Sequence, residues 1–118
     1  MIICILGDSL TSLSLAKNLV NKKLKVDVFS NKKNKSKSQS SRTIGLTHDS
    51  INFFNKEIIR INPKLLWKIN KIEIFSDKDE KDKILNFENE KKNLFSIIKN
   101  DDLYNLLNVS LSKNKYFK

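Results

Sequence analysis

The chain has few of the residues that build tight turns, disulfides and metal sites. Its 118 residues include two glycines, one proline, one cysteine and one histidine. A lone Cys4 excludes an intrachain disulfide, and nothing in the sequence places it with His48 as a metal or nucleophilic pair. We therefore expect Cys4 to pack inside a buried strand of a protein from a reducing compartment. We expect His48 to be a surface residue at the start of a helix.

Long apolar segments are also lacking. No run approaches the roughly 20 apolar residues that a membrane-spanning helix needs, and Met1 leads directly into a predicted strand rather than into a signal peptide. These absences predict a cytoplasmic protein. With 118 residues the chain forms one domain at most, and it can bury roughly 65% of its unfolded surface.

Arginine is scarce although the net charge is +10. Only Arg42 and Arg60 carry the planar guanidinium that favours phosphate and base recognition, so no specific nucleic acid is expected as a partner. Abundant lysine, asparagine and isoleucine are typical of an AT-rich genome, and we interpret most of the charge as solvated lysine. The alternatives are a peripheral contact with an anionic membrane, at its inner face, or a salt-sensitive contact with nucleic acid through residues 32–37.

The first 29 residues have the pattern that opens a dinucleotide-binding unit. Ile2 to Leu6 is a continuous apolar run, which predicts a strand buried on both faces of a parallel sheet. A turn at Gly7, an amphipathic helix and a second strand at 25–29 follow. Such a βαβ unit binds a pyrophosphate at the N-terminus of its first helix. An ordinary βαβ unit that binds nothing has the same pattern.

Two of the three glycines of the dinucleotide fingerprint are replaced. G-x-G-x-x-G needs glycine at positions 7, 9 and 12, where this chain has Gly7, Ser9 and Ser12. Ser12 is a mild change for helix packing, whereas the Cβ of Ser9 stands where the pyrophosphate approaches, although its hydroxyl can donate to a phosphate. The acidic residue that binds the ribose is expected at position 30, which is Ser30.

The rest of the chain alternates between helix and strand signals. Residues 30–41 contain lysine, asparagine, serine, glutamine and no apolar side chain, which predicts a long surface loop. The order of elements predicts an α/β fold that turns into α+β. After the loop we predict a helix capped by Thr47 or Asp49 and running to Ile59, and then a short helix from Pro63 to Trp67. Strands are predicted at 71–76, 83–87 and 94–98, with a turn at 77–82. The last predicted helix begins at Asn100 to Asp102 and buries Leu103, Leu106, Leu107 and Leu111.

This order of segments, with R-T-I-G-L-T at 42–47, resembles the N-terminal part of the FAD-dependent aromatic hydroxylases, most closely the ubiquinone-biosynthesis branch. The family carries an R-x-I-A-L-S-like segment, a leucine, glycine, aromatic pattern like Leu65-Leu66-Trp67, and an N-R-x-L-type motif like Asn100 to Leu103. The resemblance covers the whole chain but only about the first third of a family enzyme. It implies a Rossmann-like FAD-binding βαβ start in residues 1–69, part of an antiparallel substrate-domain sheet in 70–99, and a helix in 100–118 that returns to the FAD-binding domain.

The resemblance also implies roles for individual residues. The flavin carries out the hydroxylation while the protein orients and shields it, so no catalytic acid or base is implied. NAD(P)H is the implied electron donor of a complete enzyme. The implied cofactor-binding residues are Gly7, Ser9 and Ser12 at the FAD pyrophosphate, Ser30 at the adenosine ribose, Arg42 at the pyrophosphate or ribityl side, and Lys99 and Asn100 approaching the same region from the last helix.

Several family features differ or are missing. Asp101 stands where the family has arginine, the later D-G and G-D motifs would fall beyond residue 118, and a third parallel strand would begin about where residues 114–117 end. We therefore expect an N-terminal fragment of a flavin-dependent aromatic-ring monooxygenase that is inactive alone. The alternative is a non-enzymatic, degenerate Rossmann-like module that binds a nucleotide or completes a partner chain through its exposed sheet edges.

Overall fold

The computed structural model describes residues 1–30, 42–78, 81–90 and 92–118. Most of the loop predicted at 30–41 and part of the turn predicted at 77–82 lie outside these ranges. The fold is mixed α/β, with a parallel strand pair and two antiparallel sheets, which confirms the predicted class. The elements are β1 (Ile2–Leu6), α1 (Leu10–Asn21), β2 (Lys25–Phe29), β3 (Thr43–Leu46), α2 (His48–Phe53) with a π-helical turn (Phe54–Ile58), a 3-10 turn (Pro63–Leu65), β4 (Trp67–Ile69), β5 (Lys71–Phe75), β6 (Lys83–Glu88), β7 (Phe95–Lys99) and α3 (Asn100–Ser112).

The parallel sheet is built on β2. Strand β1 pairs with one edge of β2 in a register that sets Ile3 beside Val26. On the other edge, the backbone N–H of Val26 donates to the carbonyl of Tyr116 (2.8 Å), and the N–H of Lys118 donates back to Val26 (3.0 Å). Phe117 thus forms a parallel bridge with Val26. This single bridge lies where the resemblance implied the start of a third parallel strand.

Two helices cover one face of this sheet. Ser9 caps α1, whose residues Leu13, Ala16 and Val20 recur on one face and are buried. Helix α3 buries leucines spaced four residues apart, Leu103, Leu107 and Leu111. These side chains join Val26 in a single hydrophobic core. The amphipathic periods that predicted both helices therefore also predicted which of their faces is internal.

The opposite face of β1 is uncovered, so the prediction of a strand buried on both sides is wrong. Ile2 is 56% exposed and Leu6 is 84% exposed. Cys4 lies on the same face and is exposed rather than buried. Within the described ranges, α1 and α3 supply one layer against the sheet and no element supplies the second. An all-apolar strand needs both layers to be buried.

The remaining strands form two separate antiparallel sheets. Strand β7 lies between β3 and β4, with Thr43 opposite Lys99 and Trp67 opposite Ile97. Strands β5 and β6 pair only with each other, as the predicted hairpin. The strand predicted at 94–98 is therefore part of the β3–β7–β4 sheet and does not extend the hairpin.

The helix predicted up to Ile59 is shorter than expected. Thr47 caps α2 by accepting from the N–H of Ser50 (3.2 Å), as predicted, but regular α-helix ends at Phe53. The chain then widens into the π-helical turn, which leaves backbone carbonyls near its end without their α-helical partners. The Asn21 side chain in α1 donates to the carbonyl of Ile58 (2.7 Å). Packing against α1 thus stabilises a turn that the local sequence does not specify.

Candidate functional site

The first component of the site is the turn between β1 and α1. Gly7 has a φ of +97°, a left-handed conformation that favours glycine over any residue with a side chain. Its N–H donates to the carbonyl of Phe29 (2.7 Å), which fixes the turn against the end of β2. Ser30 follows Phe29 and is exposed beside this turn. The structure therefore brings Gly7 and Ser30 to one edge of the parallel sheet.

The second component is the N-terminus of α1. The Ser9 side chain accepts from the N–H of Ser12 (3.2 Å), and the two hydroxyl oxygens are 3.0 Å apart. The first intrahelical bond runs from the N–H of Leu13 to the carbonyl of Ser9. No hydrogen bond in the described part of the chain uses the backbone N–H of Leu10 or Thr11, and the first turn holds no acidic residue. These two donors at the positive end of a helix can bind an anion.

A contact between distant residues closes one side of this turn. The hydroxyl of Tyr104, on α3, donates to Oδ2 of Asp8 (3.2 Å) across 96 positions of the chain. Burial, together with the charge of Asp8 and this hydrogen bond, raises the pKa of Tyr104 above its ordinary value. Neither Asp8 nor Tyr104 is predicted as a site residue from the sequence. Asp8 occupies a variable position of the fingerprint, and no spacing rule connects it to Tyr104.

The third component lies at the start of α3. The N–H of Asn100 donates to the carbonyl of Arg42 (2.9 Å), so the two predicted residues are adjacent. Arg42 is exposed. Asn100 and Tyr104 are one helical turn apart, about 6 Å along α3. Because Tyr104 contacts Asp8, helix α3 links the pair of Arg42 and Asn100 to the turn between β1 and α1.

Lys99 is the exception among the seven predicted residues. Its ammonium lies over the ring of Trp67, 5.5 Å from the centroid, in a cation–π contact. Lys99 is thus adjacent to Asn100 in the chain while its charge is directed onto the antiparallel sheet. The structure therefore places Gly7, Ser9, Ser12 and Ser30 around the turn between β1 and α1, joins Arg42 to Asn100 by a backbone hydrogen bond, and directs Lys99 to a different contact.

The groups at this turn have the chemistry of an anion site. No group of three histidine, cysteine or acidic side chains lies close enough to hold a metal within the described ranges. The glycine turn and the two backbone donors of α1 are the groups that bind the pyrophosphate in a dinucleotide-binding unit. Asp8 is the one charge in the turn that opposes an anion.

The fold of this chain has a counterpart among solved structures. No protein-family model matches it, and no curated protein matches it. Among solved structures it is similar to 2,6-dihydroxypyridine-3-hydroxylase from Arthrobacter nicotinovorans, with a TM-score of 0.70 at 13% sequence identity. The match covers 98% of this chain and 28% of that chain. This likeness shows that the chain shares its fold with part of that hydroxylase, and the match does not single out the ubiquinone-biosynthesis branch.

Proposed function

We propose that this chain binds FAD as the N-terminal part of a flavin-dependent aromatic-ring monooxygenase. The observation that carries the proposal is the pair of backbone donors, Leu10 and Thr11, at the Gly7 turn. They would hold the pyrophosphate, with Ser30 at the ribose and Arg42 contributing charge. Bound FAD would supply the ring-hydroxylating chemistry. The residues of this chain bind and orient the cofactor.

The finer parts of the proposal come from the sequence resemblance. The motifs at 42–47 and 65–67 favour a hydroxylation like those of ubiquinone biosynthesis, with NAD(P)H as the electron donor. The chain spans 28% of the solved hydroxylase that it matches. We therefore expect the 118 residues alone to bind FAD weakly and to show no turnover. FAD-dependent NAD(P)H oxidation by the isolated chain would contradict this expectation.

The α1 donors can be tested by removing one N–H without removing the helix. Proline is tolerated at the first position of a helix, and Ser9 already has the extended conformation that precedes proline. Leu10→Pro deletes the donor, while Leu10→Ala controls for the lost side chain. We expect L10P to bind FAD about tenfold more weakly than L10A, because L10P lacks one hydrogen bond to a charged group. Quenching of flavin fluorescence measures both affinities. Equal affinities of L10P and L10A for FAD would contradict the proposed pyrophosphate site.

The contribution of Arg42 has a matched control, because the chain has only one other arginine. Arg42 and Arg60 are both exposed, and a backbone hydrogen bond joins Arg42 to Asn100 at the start of α3. We expect Arg42→Ala to weaken FAD binding several-fold and Arg60→Ala to leave it unchanged. Equal losses in both variants would indicate general attraction by a basic protein rather than a site.

A second candidate function is a module that completes a partner chain. The uncovered β1 face favours it, since Ile2, Leu6 and Phe29 are each more than half exposed. Strand β1 also has one edge without a partner strand among the described residues. This function predicts a stoichiometric protein that co-purifies with the chain. A monomer at all concentrations, with no co-purifying protein, would contradict it.

A peripheral membrane contact is the remaining expectation from the charge. Among the described residues, no helix combines the length and apolar character that a bilayer crossing demands. The +10 net charge supports a cytoplasmic protein that touches an anionic inner membrane face. We expect the chain to sediment weakly with vesicles of 30% phosphatidylserine at low salt, because each lysine near an anionic surface contributes roughly 1 kcal/mol of binding free energy. No sedimentation at low salt would contradict it.

A further inference from the structure

We propose that Tyr104 is a positioning residue whose hydrogen bond holds the Asp8 carboxylate against α3 and so keeps the α1 donors available to the pyrophosphate. The inference rests on the proposed FAD site, which it deepens. Tyr104 would not touch the cofactor. It would act through Asp8, the single acidic side chain in the turn between β1 and α1.

The need for such a contact follows from where Asp8 lies. It immediately precedes the N-cap Ser9, and Ser9 satisfies the N–H of Ser12. The N–H groups of Leu10 and Thr11 have no partner in the described ranges. A carboxylate beside a helix N-terminus is attracted to such donors and to the positive end of the dipole. A released Asp8 would occupy the donors that the pyrophosphate needs and would repel its charge.

The structure provides a rigid support for this contact. Tyr104 follows Leu103 on α3, and Leu103 and Leu107 are buried against the core. The phenol therefore approaches the turn from a helix that cannot move without exposing apolar surface. Asp8 and Tyr104 are both partly buried. The raised pKa of Tyr104 is consistent with a hydroxyl that keeps its proton and remains a donor.

The positioning role can be tested without any ligand. Tyr104→Phe removes the hydroxyl and little else, and Tyr116→Phe is the matched control because it does the same at the other tyrosine. In ¹H–¹⁵N spectra we expect the Leu10 and Thr11 amide protons to move downfield in Y104F, as Asp8 turns onto them. We expect no such movement in Y116F or in the double variant Y104F with Asp8→Asn. Unmoved Leu10 and Thr11 signals in Y104F would overturn the proposal.

FAD binding gives the second readout. We expect Y104F to bind FAD about fivefold more weakly than the wild type, because the released Asp8 carboxylate would lie at the helix N-terminus and oppose the pyrophosphate. The double variant with D8N should recover the lost affinity, and D8N alone should bind at least as well as the wild type. An unrescued loss in the double variant would overturn the positioning role and indicate a structural one. If the wild type fails to bind FAD while the amide signals move as expected, the proposed function fails and the positioning role stands.

Discussion

The helix-covered parallel sheet and the β5–β6 hairpin use similar apolar residues with opposite results. Val26, Leu107 and Leu111 are completely buried between the sheet and its helices. In the hairpin, Leu85 and Phe87 remain 48% and 49% exposed. The two regions differ in whether another element covers the sheet, and not in the kind of side chain. Apolar residues are buried only where another element packs on them, and the hydrophobic core of the described residues includes no residue of the hairpin.

The hairpin is therefore held mainly by contacts within itself. Ile72 is opposite Phe87 and Ile74 is opposite Leu85, which gives one apolar face. On the other face Glu73 contacts the ammonium groups of Lys71 and Lys83. A two-stranded hairpin is marginally stable in water on its own. We expect it to open before the helix-covered half does.

The largest expected effect comes from comparing the same leucine-to-alanine substitution in the helix-covered half and in the hairpin. Leu107→Ala removes a completely buried side chain and should lower the free energy of unfolding by about 2–5 kcal/mol. Leu85→Ala removes a half-exposed side chain and should cost less than about 1 kcal/mol. Urea denaturation followed by circular dichroism measures both. Similar costs would show that the hairpin is packed in solution, against a partner or a second copy.

A smaller effect is expected at the two glycines, one at the turn of the parallel half and one in the antiparallel sheet. Gly7→Ala imposes a side chain on a φ of +97° and should cost about 1–2 kcal/mol. At Gly45 an added Cβ meets the Phe95 ring at 3.4 Å without positive φ, so Gly45→Ala should change stability by no more than about 0.5 kcal/mol. The same denaturation experiment compares them. A tolerated G7A would contradict the strained turn on which the site is built.

The sequence predicted the elements better than it predicted their layers. The period of α3 depends on local chemistry. Of its four predicted inner residues, Leu103, Leu107 and Leu111 are buried and Leu106 is partly buried. The burial of β1 depends on which element packs on its outer face, and the apolar run of β1 does not determine that. The π-helical turn escaped prediction for a similar reason. Its carbonyl partner, Asn21, lies far away in the sequence on α1.

The same division applies to the site. Gly7, Ser9 and Ser12 follow one another in the chain, so a motif can find them. The position of Asn100 beside Arg42 results from the pairing of β3 with β7, which the sequence did not predict. The contact between Asp8 and Tyr104 has no signal in composition or spacing, because packing of α3 creates it.

The smallest expected effect concerns the charges of the hairpin. Hydrogen bonds from Lys83 and then from Lys71 lower the pKa of Glu73 below its ordinary value. Because the folded hairpin favours the ionised carboxylate, its contribution is present above the ordinary pKa of glutamate and is lost as the pH falls through the lowered pKa. Hairpin amide signals should therefore broaden or exchange faster on acidification. Salt should weaken the effect, since Glu73 and both lysines face water.

Glu73→Gln should flatten this acid dependence, and Glu90→Gln, just beyond the hairpin, should leave it unchanged. NMR titration of the Glu73 carboxyl group, with hydrogen exchange of β5 and β6 over the same pH range, measures both quantities. An ordinary pKa for Glu73 would mean that the two lysines do not hold it in solution. The hairpin would then depend on the side-chain pairs of its apolar face alone, and its contrast with the helix-covered half would be larger than the ion pairs suggest.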